Sequence, residues 1–104
     1  MRYEIVYSER SMEDLADIYE YIAFSLMDPW AAGRVYSGIV NAVDTLKSFP
    51  FRNSLAEDEP WKGMGLRKLP VKNYLIFYTT DLESCAVKII RIMYGARDIE
   101  KQLQ

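Results

Sequence analysis

Apolar and polar residues alternate at the start of the chain. In residues 2–7, "RYEIVY", Tyr3, Ile5 and Tyr7 fall on one side, which is the period of a strand. The period then lengthens. Leu15, Ile18, Tyr19, Ile22 and Leu26 recur at spacings of three and four among the acidic Glu13, Asp14, Asp17 and Glu20. That predicts an amphipathic helix of about five turns, with Ser8 or Ser11 as its N-cap. "MDPW" interrupts the pattern: Asp28 can cap a second helix and Pro29 suits its first turn. Ala32, Val35, Tyr36, Ile39, Val43 and Leu46 line one side of this helix, and Phe49-Pro50 end it. So short a link between two amphipathic helices predicts an antiparallel hairpin.

Residues 50–63, "PFRNSLAEDEPWKG", carry two prolines and read as a loop. Three strands are predicted beyond it, near 64–70, 73–79 and 86–94, with "TTDLES" as the turn joining the last two. Gly95 ends the final strand, and 97–103 could form a short terminal helix. The fold class is therefore α+β, in the order β-α-α-β-β-β with a possible last α: a helical hairpin packed on one face of a four-stranded, mainly antiparallel sheet. A helical hairpin covers one sheet face and a sheet has two. The second face is expected to lie open unless the tail or a partner covers it, and function is expected there.

The 104 residues fit one domain, 1–104. No apolar run approaches the roughly 18 to 20 residues of a membrane helix, so no membrane partner is expected. "MRYEIVYSE" is too short and too charged for a secretion signal. The lone Cys85 allows no internal disulfide, and a cytoplasmic protein is the expectation. There is no histidine, which argues against a zinc site and against the usual acid/base group near neutral pH. No cofactor or metal is expected, and any proton transfer must use tyrosine, lysine, arginine or a carboxylate. Charge is divided unevenly: residues 1–60 hold 5 basic and 11 acidic side chains, residues 61–104 hold 8 basic and 4 acidic. Either an acidic helical layer lies beside a basic sheet, or a basic face meets a polyanion or an acidic protein.

"DLADIYEYIAFSL", "GLRKLPVKNYLIFY" and "VKIIRIMYGARD", in this order and at this length, resemble the RelE/ParE superfamily of bacterial type II toxins. The resemblance spans nearly the whole chain and implies the same β-α-α-β-β-β fold. It also implies the toxin of a toxin–antitoxin (plasmid stabilisation) system, a growth inhibitor held inactive by a small antitoxin encoded by an adjacent gene. RelE-type members are metal-independent ribonucleases that cut messenger RNA on the ribosome; ParE-type members act on DNA gyrase and are not nucleases. Fold alone does not separate them.

Metal-free RNA cleavage needs a group to take the 2′-hydroxyl proton, cations on the crowded phosphate and an acid for the leaving oxygen. Compared with RelE-like enzymes, Lys68 matches one lysine position and Arg97 the arginine of the C-terminal turn. Leu66 replaces a second lysine, Leu75 replaces the strand arginine, and Leu103 is nearest to the distal tyrosine. An apolar side chain cannot replace a phosphate-binding arginine. The text is closer to ParE-like members, which implies inhibition of gyrase or another protein target. The alternatives are a RelE-like ribonuclease using Lys68, Tyr94 and Arg97, and a degenerate module that binds its antitoxin without toxicity.

Strand parity refines the basic patch. Arg67 and Lys68 are adjacent and must point to opposite faces. Leu66, Lys68, Leu75 and Phe77 are expected to share the open face and, with Arg97, to bind a partner. The cover for this apolar patch is either the tail, through Ile99 and Leu103, or an antitoxin segment. Arg67 is expected to pair with a helix carboxylate, and Arg91 either does the same or contacts a partner. Tyr94 either ends a strand and packs against the following segment, or joins Arg97 as an acid/base and phosphate clamp. Trp61 either plugs the rim of the core or anchors a partner, and Glu57-Asp58-Glu59 is a solvated charge run rather than a metal site.

Overall fold

The computed structural model describes residues 2–57 and 59–95. The elements are β1 (Glu4–Tyr7), α1 (Glu9–Glu20), α2 (Pro29–Asp44), β2 (Arg67–Val71), β3 (Tyr74–Asp81) and β4 (Ala86–Tyr94). They form the expected α+β arrangement, two helices on a four-stranded sheet of order β1-β4-β3-β2. The expected terminal helix over 97–103 lies outside the described residues.

Each boundary has a local cause. The Ser8 hydroxyl accepts the Ser11 N–H at 3.0 Å and starts α1. The helix is regular to Glu20, then widens into a π-helical turn over Tyr21–Ser25, where the Leu26 N–H donates to the Tyr21 carbonyl at 3.0 Å. Met27 follows in the left-handed region at φ 56°. The Asp28 carboxylate then caps α2 through the Ala31 N–H, with Pro29 in the first turn. The last turn of α2 tightens into a 3-10 turn over Thr45–Lys47.

β1 runs parallel to β4, pairing Glu4 through Tyr7 with Ala86 through Ile89. β4 has 9 residues and β1 only 4, so β4 continues beyond its partner. The start of α1 takes over that edge. The Ser8 hydroxyl donates to the Ile90 carbonyl at 3.0 Å, and the Asp14 carboxylate accepts the Ile92 N–H at 3.0 Å. A shift in the β3–β4 register pairs Phe77 with Arg91 but Tyr78 with Ile89, leaving Ile90 as a bulge.

The main core lies between sheet and hairpin. Leu15, Ile39, Val43 and Leu46 from the helical layer meet Leu69, Ile76, Tyr78, Val87, Ile89 and Ile92 from the sheet. Removing a side chain such as Ile76 from this layer is expected to cost about 2–5 kcal/mol.

Candidate functional site

Register places the residues predicted for the second sheet face together. Lys68 lies opposite Phe77, and Leu75 lies opposite Met93. The face is not open, however. The segment between α2 and β2 returns across it: Leu55 bridges to Arg67, the Ala56 N–H donates to the Leu66 carbonyl at 2.7 Å, and the Lys68 N–H donates to the Ser54 carbonyl at 3.0 Å. Trp61 stacks on Phe77 with ring centroids 5.1 Å apart and planes 19° apart. Ala56, Leu66 and Met93 complete this second cluster. Leu66 and Phe77 are 2% and 3% exposed, so neither can anchor an external partner here. The segment between α2 and β2 supplies a cover, because an apolar sheet face in water is unfavourable in proportion to its area; the cover expected from the tail, through Ile99 and Leu103, lies outside the described residues. Trp61 is the plug of this cover. Lys68 and Leu75 remain half-buried.

Tyr94 is on the other side of the sheet. It pairs with Tyr74, their rings meeting edge to face at 5.4 Å, and Tyr74 packs against the core under the helices. Lys68 and Tyr94 therefore point away from each other across the sheet, and Arg97 lies outside the described residues. The Tyr74 phenol is raised above its ordinary pKa of 10.0 by burial and secondarily by Tyr94, so it stays protonated at neutral pH. Acid, base and phosphate clamp must converge on one reacting group, and Lys68 and Tyr94 stand on opposite faces.

The two strand arginines differ. Arg91 meets the expected helix carboxylate: its Nε and Nη2 donate to the two oxygens of Asp14 at 2.8 and 3.1 Å. Arg67 does not. It donates to the Asn53 carbonyl at 2.6 Å and lies 5.3 Å from the centre of the Phe51 ring. The same loop satisfies Tyr78, whose hydroxyl donates to the Pro50 carbonyl at 2.6 Å and accepts from the Asn53 amide at 3.1 Å. Burial pushes the Tyr78 phenol up, with the Asn53 bond acting in the opposite sense.

Among the described residues, an exposed apolar cluster lies at the helical hairpin. Tyr21, Phe24, Leu26, Met27 and Trp30 are exposed around the turn between α1 and α2, Met27 and Trp30 by 83% and 82%. Beside them a groove of about 620 Å³ runs between the helices and the ends of β3 and β4. Ile18, Ile22, Val35, Tyr74 and Tyr94 are among its walls, and Asp17 is its one charged lining residue among the described residues. One sequence signal was available: seven uncharged residues, "YIAFSLM", separate Glu20 from Asp28 at a helix end where solvent favours polar groups. Among the described residues no group of three His, Cys, Asp or Glu side chains could hold a metal ion, and no helix is long and apolar enough to cross a membrane.

A family model described as "ParE toxin of type II toxin-antitoxin system, parDE" matches residues 5–99. The chain belongs to this family. Among solved structures, this ParE-family chain is similar to a chain of the chromosomal ParDE toxin–antitoxin system of P. aeruginosa. The TM-score is 0.73 at 20% identity, over 90% of this chain and 97% of that one. It is similar to a chain of the RelBE2 toxin–antitoxin complex of Mycobacterium tuberculosis, with TM-score 0.67 and 19% identity over 90% and 99%. The isolated E. coli RelE toxin gives TM-score 0.56 and 14% identity over 98% and 99%. A search of curated protein sequences gives no match. At these identities the structural likenesses establish the fold.

Proposed function

We propose that this ParE-family chain is a growth-inhibiting toxin that acts by binding a protein target, DNA gyrase being the one the family implies, and that a cognate antitoxin neutralises it. One observation carries the choice against RNA cleavage: Lys68 and Tyr94 lie on opposite faces of the sheet. Leu75 agrees with it, standing where a RelE-like enzyme would carry an arginine for phosphate. Protein binding is favoured in turn by the exposed hairpin residues Phe24, Met27 and Trp30, since apolar and aromatic side chains of this kind anchor protein interfaces while a phosphate surface needs cations. The antitoxin is expected to cover this hairpin surface. A short reading frame beside the gene would identify the candidate partner.

The test is induction of the toxin alone in bacterial cells, with growth, messenger RNA ends and DNA integrity followed together. Growth arrest with an SOS response and gyrase-linked DNA breaks is the expected outcome. Codon-phased cuts in messenger RNA would overturn it in favour of a RelE-like ribonuclease. Unimpaired growth would leave an antitoxin-binding module without toxicity.

A further inference from the structure

We infer that the antitoxin segment covering the hairpin turn is basic and amphipathic, with large apolar side chains at its centre and lysine or arginine on its flanks. The inference rests on the reading that an antitoxin covers this surface, and it names the chemistry of that segment.

The centre of the surface is apolar. Phe24, Leu26, Met27 and Trp30 are exposed by 73%, 57%, 83% and 82%. None of them belongs to a core cluster of the described residues. The unbranched thioether of Met27 adapts readily to a partner's shape.

The rim is acidic. Residues 11–33 contain Glu13, Asp14, Asp17, Glu20 and Asp28, and no lysine or arginine. Asp14 is taken by Arg91, and Glu13 pairs with Arg10 at 3.3 Å. Asp17, Glu20 and Asp28 are exposed, and no cation among the described residues lies within ion-pair distance of them. Asp28 serves the fold by capping α2 through the Ala31 N–H. Asp17 and Glu20 oppose it. α1 ends at Glu20 with no basic residue in its last turn, so both carboxylates stand at the negative end of the helix dipole, where a cation is favoured. A cationic segment would be attracted by the carboxylates and the dipole together. Arg34, one turn beyond Trp30, is the next cation along the chain, which leaves three carboxylates against one guanidinium around the turn. This rim repels nucleic acid and anionic lipid, and a second copy of the chain docked turn to turn would bring like charges together.

The test uses the full-length toxin, prepared by cell-free synthesis, and two synthetic amphipathic helical peptides. Both peptides carry the same leucine and tryptophan positions; one has lysine on its flanks and the other glutamate. The lysine peptide is expected to bind about tenfold more tightly at roughly 0.05 M salt, the difference shrinking to about twofold at roughly 0.5 M. Its chemical-shift changes are expected at Phe24, Met27 and Trp30. Asp17→Lys with Glu20→Lys should reverse the preference. Its unfolding midpoint is expected at or above that of the wild type, since lysine suits a helix C-terminus. Equal binding of the two peptides, tighter binding of the glutamate peptide, binding of neither, or shift changes confined to other surfaces would each overturn the inference. These readouts do not depend on toxicity, so the charge preference can fail while induction in cells still bears out a protein-directed toxin, and the reverse.

Discussion

Asp14 on α1 and Arg91 on β4 form a two-point ion pair, at 2.8 and 3.1 Å, and the same carboxylate accepts the Ile92 N–H at 3.0 Å. One side chain thus fastens the helical layer to the bulged strand where β1 has ended. Asp14→Ala would strand a partly buried guanidinium and a buried N–H together. The expected loss is about 3–5 kcal/mol. Asp14→Asn keeps an acceptor for Ile92 and is expected to lose less. Urea unfolding of both variants measures the difference, and equal midpoints for wild type and Asp14→Ala would contradict the role.

Met27 is both exposed and held at φ 56°, a combination with no benefit to folding. Met27→Gly removes the Cβ that makes this conformation costly and is expected to raise stability by about 1 kcal/mol. If the hairpin turn is the antitoxin surface, the same change weakens antitoxin binding by about tenfold or more. Thermal melting and a binding titration should therefore move in opposite directions, and a variant improved in both would remove Met27 from the interface.

Trp61 covers Phe77 and Leu66, so Trp61→Ala opens the second sheet face. A loss of about 3–5 kcal/mol is expected, with increased binding of an apolar dye by the folded protein. Trp61→Phe keeps a ring over Phe77 and is expected to recover much of the loss. A Trp61→Ala protein with unaltered unfolding would mean that the cover over Phe77 contributes little.

Alkaline pH offers a separate test. The phenols of Tyr7, Tyr74 and Tyr78 are all raised above 10.0, burial being the leading cause in each. The folded state therefore holds these protons more tightly than the unfolded chain. Their contribution is complete below about pH 10 and is lost as pH rises through the folded values. The unfolding midpoint is expected to fall above pH 10. Tyr78→Phe should reduce that fall while lowering stability at pH 7 by about 1–3 kcal/mol, because the Pro50 carbonyl loses its donor. A pH profile identical to wild type would rule out Tyr78 as a source of the fall.

The basic residues are expected to be secondary for the antitoxin. Lys68→Ala combined with Arg97→Ala should leave antitoxin affinity within about tenfold, since apolar anchors usually dominate such surfaces. A much larger loss, read by calorimetry, would show that the cations hold the partner.

Much of the fold was legible because its signals are periodic. The spacing of Leu15, Ile18 and Ile22, the Asp28-Pro29 start of α2 and the alternation of β1 each report a single local rule. Arg91 was legible for a different reason: a charge within an apolar strand demands a partner, and the acidic helix was the available source. The cover over the second face was not legible, because Ala56 and Trp61 sit among polar residues without any period, and their burial depends on the apolar face across from them; Leu66, in contrast, was placed on that face by strand parity. The face of Tyr94 was hidden too. It depends on the bulge at Ile90, which carries no glycine or proline to mark it, and parity cannot be followed along β4 without knowing where the extra residue lies. The π-helical turn at Tyr21 is equally unmarked, so the sequence suggested one uniform helix to Leu26.

The segment that covers the second sheet face also governs the outer side of β2. Three residues there, at positions 66, 68 and 70, present their backbone away from β3. The Leu66 N–H donates to the Trp61 carbonyl, the Lys68 N–H to the Ser54 carbonyl, and Pro70 has no N–H to give. An approaching strand would find no free donor along this stretch. The chain is thereby protected against edge-to-edge polymerisation from β2, whatever happens at the hairpin.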